Sequence, residues 1–182
     1  MRKEWKITEL MRHSRHDWLN RIQLIKGNLE LNKVDRAKAI IEEIIIESKA
    51  EAMLSSLNMP LYAELLMTAN WQEYPFKVEY EILDVENGCP SIDRELSFWT
   101  RQLFEEITLS LDPFAESLLM ISIYKEHQNM RFSYELQGNI TSEENLRALL
   151  LDCKTECLDI TIKKFEESEL SFEISKKPVT GK

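Results

Sequence analysis

The sequence predicts an α+β protein in two parts. An N-terminal two-helix hairpin pairs with a second copy into a four-helix bundle, and a small α/β domain follows it. Three observations carry this reading. Residues 5–32 hold no proline and a single glycine, Gly27, with apolar residues at helical spacing. Beyond Pro60 the apolar pattern switches repeatedly between helical spacing and strict alternation. The charge balance changes at the same place: residues 1–59 carry 11 Lys/Arg against 9 Asp/Glu, and residues 60–182 carry 12 against 23. The domains are therefore expected at 1–59 and 60–182.

Each element follows from its own pattern. Over Trp5–Asn32, at about 100° per residue, Ile7, Met11, Ser14, Trp18, Ile22, Ile25 and Leu29 fall in one stripe about 80° wide. Asn32-Lys33-Val34-Asp35 is a short polar break, with Asp35 as N-cap of a second helix that runs to Asn58. A link this short sets the two helices antiparallel. Ile44, Ile45 and Ile46 cannot all face one neighbour, and a lone hairpin leaves that surface wet, so a homodimeric bundle is expected. After Pro60 the pattern reads as a short helix over 61–70, a strand over 76–83 and a helix over 92–112 stopped by Pro113. Strands over 118–124 and 130–136 flank a polar link, Lys125–Asn129, as a hairpin. A helix over 142–151 with Thr141 as its cap precedes two closing strands, 158–165 and 170–174. Together these make a small, mainly antiparallel sheet with helices, and Lys176–Lys182 reads as a tail.

Composition excludes several classes. The 182 residues carry a formal net charge of −9, which argues against a dedicated nucleic-acid binder, because phosphate recognition needs a basic surface. No apolar run approaches the roughly 20 residues of a membrane span, and the first residues lack the apolar core of a signal peptide. A cytoplasmic location is expected. Cys89, Cys153 and Cys157 are too few and too widely spaced for a disulfide framework or a zinc ribbon. Cys153 and Cys157 are expected to pack as small hydrophobes. The four glycines, at 27, 88, 138 and 181, cannot assemble a glycine-rich phosphate cradle.

The chemistry concentrates in His13-Ser14-Arg15-His16-Asp17-Trp18-Leu19-Asn20. With His16 as the zero of the helical wheel, the apolar seam lies about 160–240° away, so His16 points outward. Within about 60° of it lie Glu9, Arg12, His13, Asn20, Gln23 and Gly27. Three readings compete for this stripe. It is an ordinary solvated helix face, or a partial metal site, or the seat of a nucleophilic imidazole. His13 with Asp17 or His16 supplies too few ligands for a closed zinc site, and no metal site is assigned. A triad of Ser14, His16 and Asp17 fails because adjacent helical side chains do not face one another. A neutral imidazole offers a nucleophilic nitrogen near neutral pH.

The run from His16 to Leu31, His-Asp-Trp-Leu-Asn followed by Gln-Leu-Ile-Lys-Gly-Asn-Leu, resembles the phospho-accepting helix of citrate- and dicarboxylate-type sensor histidine kinases. It is more similar still to the sporulation initiation phosphotransferases of bacilli. The likeness extends through Lys33-Val34-Asp35 into the second helix. Farther on, Tyr80-Glu81-Ile82-Leu83 and Arg101-Gln102-Leu103-Phe104 keep its flavour. The resemblance implies a C-terminal domain that is a degenerate relative of the kinase ATP-binding fold. Kinases of this type need an asparagine-bearing helix for magnesium-ATP and glycine-rich boxes for the lid. Here that helix reads Leu103-Phe104-Glu105-Glu106-Ile107-Thr108-Leu109, and Gly88 and Gly138 stand far apart. ATP-dependent autophosphorylation is therefore not expected.

What the resemblance implies is a phosphorelay in the control of sporulation initiation. His16 takes the phosphoryl group from the aspartyl phosphate of a single-domain response regulator and passes it to the aspartate of a second, transcription-regulating one. Arg12, Asp17 and Asn20 are the expected neighbours of the phosphoryl group, and His13, Gln23 and Gly27 the expected partner-binding residues. No cofactor is expected on this chain, since Mg2+ would come with the regulator. Residues 1–26 carry seven basic against three acidic side chains, which suits an acidic magnesium pocket. Two alternatives stand beside this: a sensor-type histidine kinase with an atypical ATP site, and a non-enzymatic dimeric adaptor for response regulators.

Overall fold

The computed structural model describes residues 6–127, 129–151 and 155–177. Its contacts divide the chain into two compact units, Met1–Lys49 and Ala50–Lys182. That division falls upstream of the junction at Pro60 that charge and periodicity predict.

The first unit is the hairpin as far as Lys49, and the last turns of its second helix belong to the second unit. Helix α1 spans Ile7–Glu30, and helix α2, Val34–Ser56, starts after a three-residue link. The Lys6 backbone N–H donates to the Glu9 carboxylate at 3.1 Å, which closes the first turn of α1. Asn32 ends the helix in the left-handed region, φ 55°, a conformation asparagine tolerates, and the Lys33 N–H returns to the Asn28 carbonyl at 2.8 Å. Asp35 is not the N-cap. It lies within the first turn of α2, where its charge still favours the helix dipole. The Arg21 guanidinium pairs with the Glu47 carboxylate and ties α1 to α2. Ala37 and Ile40 are buried, whereas no described residue of α1 is. Trp5, where the sequence starts the first helix, lies outside the described residues.

The second unit is a five-stranded sheet with its helices packed on one face. In chain order it comprises α3 (Pro60–Ala69), β1 (Lys77–Leu83), a 3-10 turn at Pro90–Ile92, α4 (Asp93–Ser110), β2 (Leu118–Glu126), β3 (Asn129–Gln137), α5 (Glu144–Leu151), β4 (Leu158–Glu166) and β5 (Glu169–Lys176). The strand order is β1-β2-β3-β5-β4. Strands β1 and β2 run parallel, which requires the long crossover that α4 supplies; the other pairs are antiparallel. The hairpin strands extend into the polar link expected at 125–129, pairing Lys125 with Met130 and Glu126 with Asn129 and leaving His127 at the turn. Thr141 is not a helix cap, because its hydroxyl and N–H both donate to the Ser110 carbonyl and hold the end of α4. Lys176 still belongs to β5, and the rest of the expected tail beyond Lys177 lies outside the described residues. So does Cys153, while Cys89 and Cys157 are half-buried free thiols.

Alternation decides which sheet face is dry. Leu119, Ile121 and Ile123 on β2, Phe132, Tyr134 and Leu136 on β3, and Leu170, Phe172 and Ile174 on β5 are all buried. They meet Leu96, Trp99, Leu103 and Ile107 on α4, spaced three and four apart as one helix face requires. The intervening strand residues carry the solvated face, where Ser122 donates to Glu81 at 2.8 Å and Tyr124 to Glu173 at 3.0 Å. Inside the core the Tyr134 ring stacks on Phe172 with centroids 5.0 Å apart, and Trp99 meets both edge-on. The buried phenols do not lack partners: Tyr62 and Tyr134 share a hydrogen bond of 2.7 Å, and Thr100 and Tyr134 one of 2.8 Å. Burial pushes both phenols well above the ordinary tyrosine range, so they stay protonated and able to donate. The Asp93 carboxylate accepts from the backbone N–H groups of Leu61 and Tyr62 at 3.1 and 2.9 Å, so the first residue of α4 caps α3.

The sheet's outer edges are β1 and β4. The register of β4 against β5 shifts between Ile162 and Lys164, and the Lys164 ammonium pairs with Glu166 and Glu169 at 3.1 and 2.7 Å.

The glycines of this unit serve close backbone packing. A Cβ on Gly88 would stand 2.4 Å from the Leu57 carbonyl oxygen, the same oxygen that accepts the Gly88 N–H at 3.1 Å. On Gly138 it would stand 2.4 Å from Ser117 Oγ. Gly27, by contrast, has nothing within 4 Å of its missing Cβ. Opposite signs are therefore expected: Gly88→Ala lowers stability by about 1–3 kcal/mol through overpacking, and Gly27→Ala raises it by about 1 kcal/mol through helix propensity. Urea unfolding of the two variants beside the parent checks both.

Candidate functional site

Arg12, His13, His16, Asp17, Asn20, Gln23 and Gly27 all lie on α1. Helical spacing puts His16 one turn from Arg12 and Asn20 and adjacent in sequence to Asp17. Arg12, His16, Asn20 and Gln23 are exposed; His13, Asp17 and Gly27 are partly so. The His16 side chain keeps 74% of its surface open to solvent.

Two of the expected neighbours approach the same atom of His16, and one of them bonds it. The Asn20 side-chain amide lies 3.1 Å from Nδ1, a hydrogen bond within the helix. The Asp17 carboxylate oxygen is 3.7 Å from Nδ1, too long for a hydrogen bond. The helix below the ring is itself braced. Asn28 donates to the Leu24 carbonyl at 2.8 Å, Lys26 pairs with Glu30 at 3.6 Å, and Arg21 is held by Glu47. The Arg21–Glu47 tie joins positions 26 apart, so no local spacing signals it. The bond from Asn20 to the ring was open to detection, since an asparagine four residues after a histidine sits directly over it.

The opposite side of α1 is apolar and wet. Ile7 is 78% exposed, Ile22 54% and Trp18 49%. Met11 and Leu29 on the same stripe are exposed as well, and so are Ile41, Ile45 and Ile46 on α2. Among the described residues no group of three or more His, Cys, Asp or Glu side chains is placed to hold a metal ion. Among them, too, no helix is long and apolar enough to cross a membrane.

An exposed imidazole on a solvated face contributes little to folding. The His16→Gln variant is accordingly expected to unfold within about 0.5 kcal/mol of the parent, read by thermal or urea denaturation.

Comparison with known proteins divides the chain in the same order as its structure. Residues 1–57 match the family model described as the sensor kinase SpoOB-type alpha-helical domain, and residues 58–177 match that of sporulation initiation phospho-transferase B, C-terminal. Sporulation initiation phosphotransferase B of Bacillus subtilis (strain 168) is 38% identical over 121 residues. That match covers 66% of this chain and 63% of the relative, so it spans less than two thirds of the relative's length. Among solved structures, the histidine kinase AdeS of Acinetobacter baumannii overlaps 88% of this chain and 96% of its own, at 14% identity and a TM-score of 0.46. A bacterial phosphotransferase overlaps 94% of this chain and 98% of its own, at 13% identity and a TM-score of 0.39. The two family models together account for nearly the whole chain, and the chain belongs to the sporulation initiation phosphotransferase B family.

Proposed function

We propose that this chain is a phosphorelay phosphotransferase in sporulation initiation, working through a phosphohistidine at His16. The observation that carries the reading is an outward imidazole, 74% exposed, on the helix that the family's alpha-helical domain matches. In the forward step a ring nitrogen of His16 attacks the phosphorus of an aspartyl phosphate on a single-domain response regulator. The phosphorus–oxygen bond to the aspartate breaks, and its carboxylate leaves. In the second step the phosphohistidine donates to the aspartate of a transcription-regulating response regulator. Catalysis of both steps rests on in-line placement and charge neutralisation rather than on covalent chemistry by the protein.

The division of labour follows from the charges. The regulator's acidic pocket supplies Mg2+, which neutralises the phosphoryl oxygens. The basic first helix, with Arg12 one turn from His16, steers and orients that pocket. Arg12, Asp17 and Asn20 neighbour the phosphoryl group. His13, Gln23 and Gly27 extend the docking stripe, and the open space at Gly27 admits the partner's backbone. Residues 1–59 serve dimerisation and phosphotransfer, and residues 60–182 form an α/β domain without a nucleotide site. The close approaches at Gly88 and Gly138 support that last point, because those glycines are fixed against Leu57 and Ser117. The protein acts in the cytoplasm, where both regulators are.

The homodimer is part of the same proposal. The exposed seam of Ile7, Met11, Trp18, Ile22 and Leu29 is the surface a second hairpin covers. Ile22→Asp is expected to weaken association at least tenfold, since it places a charge in that seam. Sedimentation equilibrium reads this, and a parent that stays monomeric at micromolar concentration contradicts it.

Transfer from a single-domain regulator carrying labelled phosphate on its aspartate tests the function. Wild-type chain is expected to take up the label, His16→Gln to take up none, and neither to take label from ATP. Label from ATP would favour the kinase alternative; docking without uptake would favour the adaptor. Gly27 lies about 16 Å along the axis from His16 at 1.5 Å per residue, near enough to affect docking but not chemistry. Gly27→Trp is therefore expected to raise the regulator concentration at half-saturation several-fold, with a much smaller fall in the saturated rate, in quench-flow measurements.

A further inference from the structure

Group transfer tolerates little error of placement: a reacting atom displaced by about 1 Å can cost about a hundredfold in rate. His16 stands on a helix whose side chains reach about 5–6 Å from the axis. A roll of about 10° around that axis therefore carries the ring about 1 Å sideways. Something has to hold α1 against that roll, and close packing supplies little of it, since no described residue of α1 is buried.

Leu10, Ser14, Asp17, Arg21, Ile25 and Asn28, spaced three or four apart, form a row of partly covered residues along α1. Most of that row is polar, and apolar contact, here or across the proposed dimer seam, is non-directional. Arg21 reaches from the row to α2, where its guanidinium pairs with the Glu47 carboxylate. Five residues on from His16, Arg21 lies about 140° round the helix and about 7.5 Å along it. A tie on that side fixes where His16 faces without standing in its way. The two side chains are 35% and 48% exposed, so solvent screens them and the pair adds little stability. Its direction matters more, because a guanidinium offers its donors in a rigid planar fork.

We propose that Arg21 and Glu47 are a positioning pair: they set the rotation of α1 on α2, and with it the direction in which His16 meets the phosphoryl group. The use of the pair in transfer rests on the phosphotransfer reading; the restraint on α1 does not. Neither residue touches the reacting atoms. Breaking the pair leaves the imidazole chemically unchanged and the fold nearly as stable, and what it loses is alignment.

Quench-flow uptake of label from the phosphorylated single-domain regulator, measured against regulator concentration with the full chain, tests the pair. Arg21→Gln and Glu47→Gln are each expected to lower the saturated rate about three- to tenfold, with half-saturation within about twofold of the parent and the urea midpoint nearly unchanged. The double variant should lose no more than either single one, because two halves of one tie act as a unit. Arg21→Lys keeps a cation for Glu47 and should recover part of the rate. An unaffected saturated rate, losses that multiply in the double variant, or a rise in half-saturation alone overturns the proposal. Amide relaxation dispersion without any partner reads the restraint separately. The α1 amides of the parent should show no exchange on the μs–ms scale and those of Arg21→Gln should show it; identical profiles overturn the restraint. A parent that takes up no label while the profiles differ as expected supports the restraint and refutes the phosphotransfer reading instead.

Discussion

Because no described residue of α1 is buried, that helix has to satisfy two opposite demands with one periodic surface. One side carries Ile7, Met11, Trp18, Ile22 and Leu29, which lose free energy for as long as water touches them. The other carries His16 and its polar neighbours, which are useful only while something else can touch them. A helix of 3.6 residues per turn sets these sides opposite one another, with Leu19 and Leu24 leaving further exposed apolar surface outside the seam. The proposed dimer follows from the first demand and the proposed docking face from the second. Neither can be moved without the other, since a one-residue slip of the pattern turns both through about 100°.

The second unit answers to different physics. Its core is closed by rings and by polar groups that find one another, not by apolar area alone. Tyr62, Thr100 and Tyr134 come from α3, α4 and β3, so their hydroxyl contacts fix three elements in a single arrangement. Asp93 does the same between α4 and the start of α3. An apolar side chain in any of these places would bury comparable area while leaving a neighbour's donor or acceptor unmet.

Much of this was legible in the sequence because it is written in short periods. Both hairpin helices, the helices on either side of β1, all five strands and the outward direction of His16 come from spacings of two, three and four. The errors lie where long-range partners override local preference. Thr141 has the chemistry of a cap but bonds the Ser110 carbonyl, 31 positions away. Asp35 has it too, yet helical backbone begins one residue earlier. Residues 125–129 are polar enough for a link, but the ladder between β2 and β3 carries Lys125, Glu126 and Asn129 into the strands and leaves His127 at the turn. The Arg21–Glu47 tie and the Asp93 cap have no local signature at all. Within the site, the pattern ranked the residues around His16 but not their order of approach, which depends on side-chain reach: Asn20 gets to Nδ1 and Asp17 falls short.

The two borders of the sheet bear on how this protein behaves when concentrated. An open strand border offers unpaired N–H and C=O groups to any other chain, and flat borders grow into aggregates. Strand β4 breaks its own regularity at Ile162–Lys164 and sets an ion-paired lysine there. On β1, Lys77, Glu79 and Glu81 place charges along the opposite border. A strand arriving at either side would have to strip water from those charges and match an irregular backbone. Growth by strand addition is thereby disfavoured at both borders, while the hairpin's apolar stripe is a surface that another helix can cover and so close.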